Sequence, residues 1–342
     1  MKDVKGKGQI SMNNNSRWRL AITFTLFVLC LAFPNGQAQA AYPDRPVTIL
    51  VGFAPGGHMS MSARALALSL SRIIGQPVII ENKAGGTGTV ALMSMLAQKH
   101  DGYTLCATPT SVLIRVSQIQ KAPFKPFSSF KLIIGYAAPQ LGIIVKSDAP
   151  WKSLADLVKG AKANPGKLKF ATIGIGSTTQ AAVDEIASVE KLRIIHVPYK
   201  GSAEVIASLL GGHVDFASLT SEFVPTVKAG QTRLLATMTE KRVPIFPDVP
   251  TMRELGYDFV NDAIFSIAAP ADIPPDVFIK LEAALAQAVK SREYLEMMDK
   301  LDMIPVQYSQ KELDAFLRIQ WKVINRHLIG AGLIKEAATL PE

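Results

Sequence analysis

Three glycine-rich loops carry the residue types that could hold an anion. The first, Phe53-Ala54-Pro55-Gly56-Gly57-His58-Met59-Ser60, joins a β-branched run to a helical one. Its glycines permit a tight turn with bared N–H groups, and the following helix adds about half a positive charge at its start. That pairing suits a carboxylate or a phosphate, though a plain strand–helix turn reads the same way. The second, Ala84-Gly85-Gly86-Thr87-Gly88-Thr89, resembles a phosphate cradle. No Gly-Lys-Ser/Thr follows it, and its glycines miss the dinucleotide spacing, so close helix–sheet packing explains it as well. In the third, Gly174-Ile175-Gly176-Ser177-Thr178-Thr179-Gln180, Ser177 or Thr178 can cap a helix or face a cleft.

Catalytic sets are harder to find. The histidines are His58, His100, His196, His213 and His327; none sits in H-E-x-x-H, and there is no G-x-S-x-G elbow. Only His58 falls in a candidate site loop, while His100, His196 and His213 lie near element ends. Cys106 closes a predicted strand and reads as a buried, inert thiol. Two cysteines make neither a disulfide scaffold nor a zinc cluster, so no metal and no cofactor are expected.

The elements that must position these loops alternate. Val47–Val51, Val78–Ile80 and Tyr103–Ala107 read as strands, with helices over Ser60–Ile74 and around Val90–Lys99. Lys131–Tyr136 and Gly142–Val145 follow as strands with no long helix between them. A second strand–helix series then runs from Leu154 to Met238, Phe265–Ala269 returns as a strand, and Leu281–Ser291 and Lys311–Leu328 are helical. Strand–helix alternation implies α/β lobes, each a mostly parallel sheet covered by helices. The expected organisation is lobe 1 over 41–141 plus 263–342 and lobe 2 over 142–262. Ligands of open α/β sheets sit beyond the strands' carboxyl ends, so an interlobe cleft is the expected site.

Length and composition agree with this. The 342 residues fit about two domains. With 48% hydrophobic and 19% charged residues the chain is not a disordered one. Residues 1–40 combine five basic residues, an apolar run of about 14 from Leu20 to Phe33, and Ala38-Gln39-Ala40, the three parts of a signal peptide. The run is short for a spanning helix, which needs about 20 residues. Cys30 follows Val28-Leu29, a poor fit to lipoprotein processing. Cleavage after Ala40 removes five basic residues and Asp3, taking the formal charge from +9 to +5. The remaining lysines are scattered among acids, so no nucleic-acid stripe exists, although a mild positive field can collect anions.

In order along the chain stand Tyr42-Pro43, Phe53-x-Pro55-Gly56-Gly57, Gly75-Gln76-Pro77-Val78, Asp101-Gly102-Tyr103-Thr104-Leu105, Asn164-Pro165-Gly166-Lys167-Leu168, His196-Val197-Pro198-Tyr199-Lys200-Gly201, Gly211-Gly212-x-Val214-Asp215 and Pro247-Asp248-Val249-Pro250-Thr251. This series resembles the substrate-binding proteins of tripartite tricarboxylate transporters, the Bug receptors, from about Tyr42 to Glu336. The resemblance implies a periplasmic, two-lobed, type II binding-protein fold. It also implies a small carboxylated solute held between the lobes, a partner permease in the membrane, and a monomer without enzymatic activity.

By position, the ligand contacts implied are Phe53, Ala54, Gly57, His58, Met59 and Ser60, with Gly176, Ser177 and Thr178 opposite. Thr87, Thr108, Ser111 and Thr220 are further candidates. The chain departs from the family at Ser60, where an aspartate is usual, at His58, and at Gln180, where many members carry histidine. The aspartate usual in the segment Ala217-Ser218-Leu219-Thr220 is also missing. A cleft that loses an aspartate and gains an imidazole is expected to repel anions less and to favour a ligand with little or no positive charge. Two other functions stay open: a sensor presenting ligand to a membrane receptor kinase, and an exported hydrolase pairing Ser60 or Ser177 with His58.

Overall fold

The computed structural model describes residues 42–336 apart from 121, 262 and 331. The expected signal peptide, with Cys30, lies outside the described residues. Eleven strands among the described residues form two sheets. The first sheet holds β1 (Val47–Val51), β2 (Val78–Asn82), β3 (Thr104–Pro109), β4 (Phe130–Ala138), β10 (Phe265–Pro270) and β11 (Ile304–Ser309), in the order β11-β4-β10-β3-β1-β2. The second holds β5 (Gly142–Lys146), β6 (Lys169–Thr172), β7 (Ile195–Pro198), β8 (Phe216–Leu219) and β9 (Thr232–Thr237), in the order β7-β6-β8-β5-β9.

Both sheets are mixed, where mostly parallel ones were expected. β1 pairs parallel with β2 and β3, and β6 with β7 and β8. β10 is antiparallel to β3 and β4, β11 to β4, and β5 to β8 and β9. The parallel strands are those joined by helical crossovers. β5 and β10 are the strands by which the chain passes from one sheet to the other. They enter against the run of the strand–helix units, and antiparallel pairing needs no crossover helix.

Helix α1 (His58–Ile74) shows how the local sequence builds this frame. Ala63, Leu66 and Leu70 recur at helical spacing and are fully buried against the first sheet. Gly75, at φ 69°, ends the helix in the left-handed conformation and donates its N–H to Ser71 O. The helix starts two residues before the expected Ser60. Across the second sheet, Val183 and Ile186 of α4 (Thr178–Glu190) pack with Phe170, Phe216 and Ile143.

Two elements escape the sequence reading. Helix α8 (Arg292–Lys300) buries only Tyr294 and Met298, and β11 is an edge strand with no fully buried residue. Both nonetheless carry a short apolar pattern: Tyr294 and Met298 stand four residues apart on one face of α8, and Ile304, Val306 and Tyr308 take every second position along β11. Among the described residues no helix is long and apolar enough to cross a membrane.

Candidate functional site

A cavity partly open to solvent lies beyond the carboxyl ends of β1, β3, β6, β7 and β8. The first sheet contributes Phe53, Ala54, Gly57, His58 and Met59 from the turn into α1, Thr87, and Pro109, Ser111 and Val112 after β3. The second sheet contributes Ile173, Ser177, Thr178 and Thr179 after β6, Gly201 and Ser202 after β7, and Thr220 and Glu222 after β8. Leu141, Ala263 and Phe265, from the segments that join the sheets, complete the wall.

Helices α1, α4 and α5 (Ser202–Leu210) all begin at this cavity. Their first turns hold N–H groups without intrahelical partners and the positive ends of the helix dipoles. At α4, Ser177 is the N-cap: its Oγ accepts from Gln180 N at 3.2 Å and donates to Gly174 O at 2.7 Å. No acidic residue stands in that first turn.

The end of α1 is built differently. Its N-cap is Gly57, which has no side chain to offer. Glu222, from the other sheet, supplies the cap instead. His58 N donates to Glu222 Oε1 at 2.7 Å, Ser202 Oγ donates to the same oxygen at 2.7 Å, and the Thr220 hydroxyl donates to Oε2. This external cap is why His58 and Met59 join the helix. Burial pushes the Glu222 carboxyl up, but the neighbouring imidazole, the His58 amide and the two hydroxyls together hold it below the ordinary glutamate range. His58 Nδ1 lies 3.7 Å from Oε2, too far for a hydrogen bond, and is a buried nitrogen with no hydrogen-bond partner.

Further contacts tie the two sides together. Ala54 N donates to Lys200 O at 3.3 Å, and Thr87 Oγ1 to Ile175 O at 2.9 Å. A Cβ added at Gly201 would stand 2.9 Å from the Ala54 Cβ.

Ten of the thirteen candidate residues line the cavity: Phe53, Ala54, Gly57, His58, Met59, Thr87, Ser111, Ser177, Thr178 and Thr220. Three do not. Ser60 is fully buried with its Oγ on the Asn82 side chain at β2, because the third residue of a helix points away from the end where the first one opens. Thr108 is buried within the sheet, its carbonyl taken by Ser266 Oγ. Gly176 spends its N–H on Gln180 Oε1 at 2.7 Å.

The cleft was expected to lose an aspartate at Ser60, gain an imidazole and repel anions less, yet a carboxylate stands in it. The aspartate's place at Ser60 does not face the cavity, and Glu222 brings a carboxylate there from another loop. Glu222 was not among the candidate residues. A polar Thr-Ser-Glu run just past a buried strand end was the available signal. Ser202 and Thr179 also line the cavity without having been candidates.

Two further titratable groups, His196 and Cys106, are shifted by burial. His196 stacks on Phe170 at 4.7 Å between ring centroids and bonds Thr172 Oγ1 at 2.7 Å; burial lowers it to about 4. Burial pushes the Cys106 thiol up, out of the range of a reactive thiolate. No group of three or more His, Cys, Asp or Glu among the described residues could hold a metal ion.

Two helix-covered mixed sheets, with a cavity ringed by helix N-termini from both, define a solute-binding protein of the periplasmic binding fold. The chain belongs to the tripartite tricarboxylate transporter family receptors, whose family model matches residues 62–330. It is 36% identical over 299 residues to a UPF0065 protein in the gbd 5' region of Cupriavidus necator, covering 87% of this chain and 91% of that one. The structure of the periplasmic binding protein BugD superposes with a TM-score of 0.80 at 28% identity, over 85% of this chain and 99% of BugD. Rpa4515 of R. palustris, solved with adipate, superposes with a TM-score of 0.79 at 26% identity, over 85% of this chain and 98% of Rpa4515.

Proposed function

We propose that this protein is an exported receptor that captures a small carboxylate-bearing solute and delivers it to a membrane permease of the tripartite tricarboxylate type. The observation that carries this is the convergence of three helix N-termini, from α1, α4 and α5, on one largely apolar cavity. Ser177 and Thr178, at the start of α4, are the carboxylate anchor. Phe53, Ala54, Gly57, His58, Met59, Thr87, Ser111 and Thr220 close around the rest of the solute. The lobes are 41–141 plus 263–342 and 142–262, and closure between them removes the ligand from water, where charge-assisted hydrogen bonds are strongest. Binding shifts an open–closed equilibrium, and the permease reads the closed surface.

The hydroxyls that a hydrolase would need are engaged elsewhere. Ser60 Oγ bonds Asn82, and Ser177 Oγ bonds Gly174 O and Thr179 Oγ1. The Rpa4515 relative, solved with adipate, supports a carboxylate ligand. The test is native mass spectrometry of the chain purified from Ala41, followed by identification of any molecule released on denaturation. A thermal-shift panel of mono-, di- and tricarboxylates accompanies it. A released or stabilising carboxylic acid is expected. Silence of the whole panel on ligand-free protein would count against the reading.

A further inference from the structure

The amide end of α1 lies at the cavity and already holds a carboxylate of the protein's own, that of Glu222. Glu222 is 9% exposed and lines the cavity. Of the roughly four acceptor directions of a carboxylate, three are in use, by the His58 amide and the Ser202 and Thr220 hydroxyls. The remaining direction belongs to Oε2. Beside that oxygen, at 3.7 Å, stands His58 Nδ1, on a side chain 7% exposed, with no hydrogen-bond partner. One acceptor and one unsatisfied ring nitrogen therefore sit side by side at this end of the cavity.

Resting on the carboxylate-receptor reading above, we propose that Glu222 and His58 make this a receptor for monocarboxylates whose far end carries a hydrogen-bond donor, a hydroxyl or an ammonium, and that they exclude dicarboxylates. A hydroxyl placed between them donates to Glu222 Oε2 and accepts from His58 Nδ1–H. An ammonium donates to both, with the imidazole in its other tautomer. A second carboxylate offers only acceptors. It also meets the charge of Glu222 in a space where water does little screening, and finds the α1 amide already taken. The ligand's first carboxylate goes to α4, whose first turn has no acid of its own. Between the two ends the wall is apolar, with Leu141, Ile173 and Phe265, and suits a hydrocarbon body. This separates the chain from its relative Rpa4515, solved with adipate, an acid with a carboxylate at each end.

The test is isothermal titration calorimetry of the ligand-free protein with succinate, glutarate and adipate, and with the ω-hydroxy and ω-amino monocarboxylates of the same lengths. At the best-fitting length, the hydroxy or amino acid is expected to bind at least tenfold more tightly than the dicarboxylate. In Glu222→Gln that gap should shrink to threefold or less. A dicarboxylate that binds the unmodified protein as tightly as its monocarboxylate counterpart overturns the inference and leaves the receptor reading standing. If Glu222→Gln does not fold, the comparison on the unmodified protein decides alone. Binding by neither series, in a protein that also ignores the wider carboxylate panel, overturns the receptor reading itself.

Discussion

The backbone N–H of His58 donates to Glu222 Oε1 at 2.7 Å across 164 residues of sequence, so the first turn of α1 is capped by a side chain from the other sheet. Glu222→Ala leaves that amide and the Ser202 and Thr220 hydroxyls without their shared acceptor. The expected loss is ~2–4 kcal/mol, as for other buried donors stripped of an acceptor. Glu222→Gln keeps one carbonyl oxygen and should lose about half as much. Urea unfolding measures both; equal stability of all three proteins would show that the cap carries no energy.

Ser177 and Ser60 should separate cleanly. Ser177→Ala removes the N-cap of α4 at the cavity, costing about 1 kcal/mol, and should weaken binding of a carboxylate probe about tenfold. Ser60→Ala disturbs only the Asn82 contact at β2, also at about 1 kcal/mol. Its affinity should stay within twofold. Calorimetry and thermal melts on the same preparations give both readouts, and equal affinity losses would contradict the geometry.

Gly201→Ala puts a methyl group against Ala54 across the cavity mouth. Each half keeps its own core, so stability should change by less than about 1 kcal/mol while probe affinity falls about tenfold, since overpacking acts where surfaces meet. Small-angle scattering with saturating probe should show a larger radius of gyration than the unmodified protein. An unchanged radius and affinity would mean that Gly201 is not a point of closure.

Two buried groups oppose each other in acid. Burial pushes Asp184 up to about 6, against the pull of Arg115 and a hydrogen bond from Gln180. The folded state therefore binds the extra proton between about pH 4 and 6, and stability from this group is lost as pH rises through that window. His196 is lowered to about 4, so the unfolded chain binds the extra proton between about pH 4 and 6.5, and stability is lost as pH falls. The two effects have opposite signs across this range and offset one another. Asp184→Asn should raise stability at pH 7.5 by roughly 2–3 kcal/mol and make the protein more acid-sensitive than the parent. Urea unfolding at pH 4.5 and 7.5 checks this; a parallel shift at both pH values would remove Asp184 from the account.

Much of the frame and part of the site were legible along the chain. Strand–helix alternation placed α3 (Leu154–Ala163), β5 and β10 within a residue or two, because each buries a periodic apolar set that local sequence displays. The glycine-rich turns marked where helices begin, and most cavity-lining candidates came from them. α8 and β11 carry patterns too brief to stand out along the chain, one i,i+4 pair in Tyr294 and Met298 and three alternating residues in Ile304, Val306 and Tyr308.

Which side chains share a wall is a matter of distance in space, and no local rule supplies it. Ser60 lies two residues from His58 yet faces β2, since successive helical residues turn by about 100°. Glu222 lies far from both in sequence and meets His58 because the strands ahead of them, β8 and β1, point their carboxyl ends at one cavity from separate sheets. The sequence by itself determined most of the elements, the glycine-rich turns and the family. Tertiary packing alone decided that the carboxylate at the cavity is that of Glu222, because a buried charge settles where its donors converge, and those donors come from three different loops.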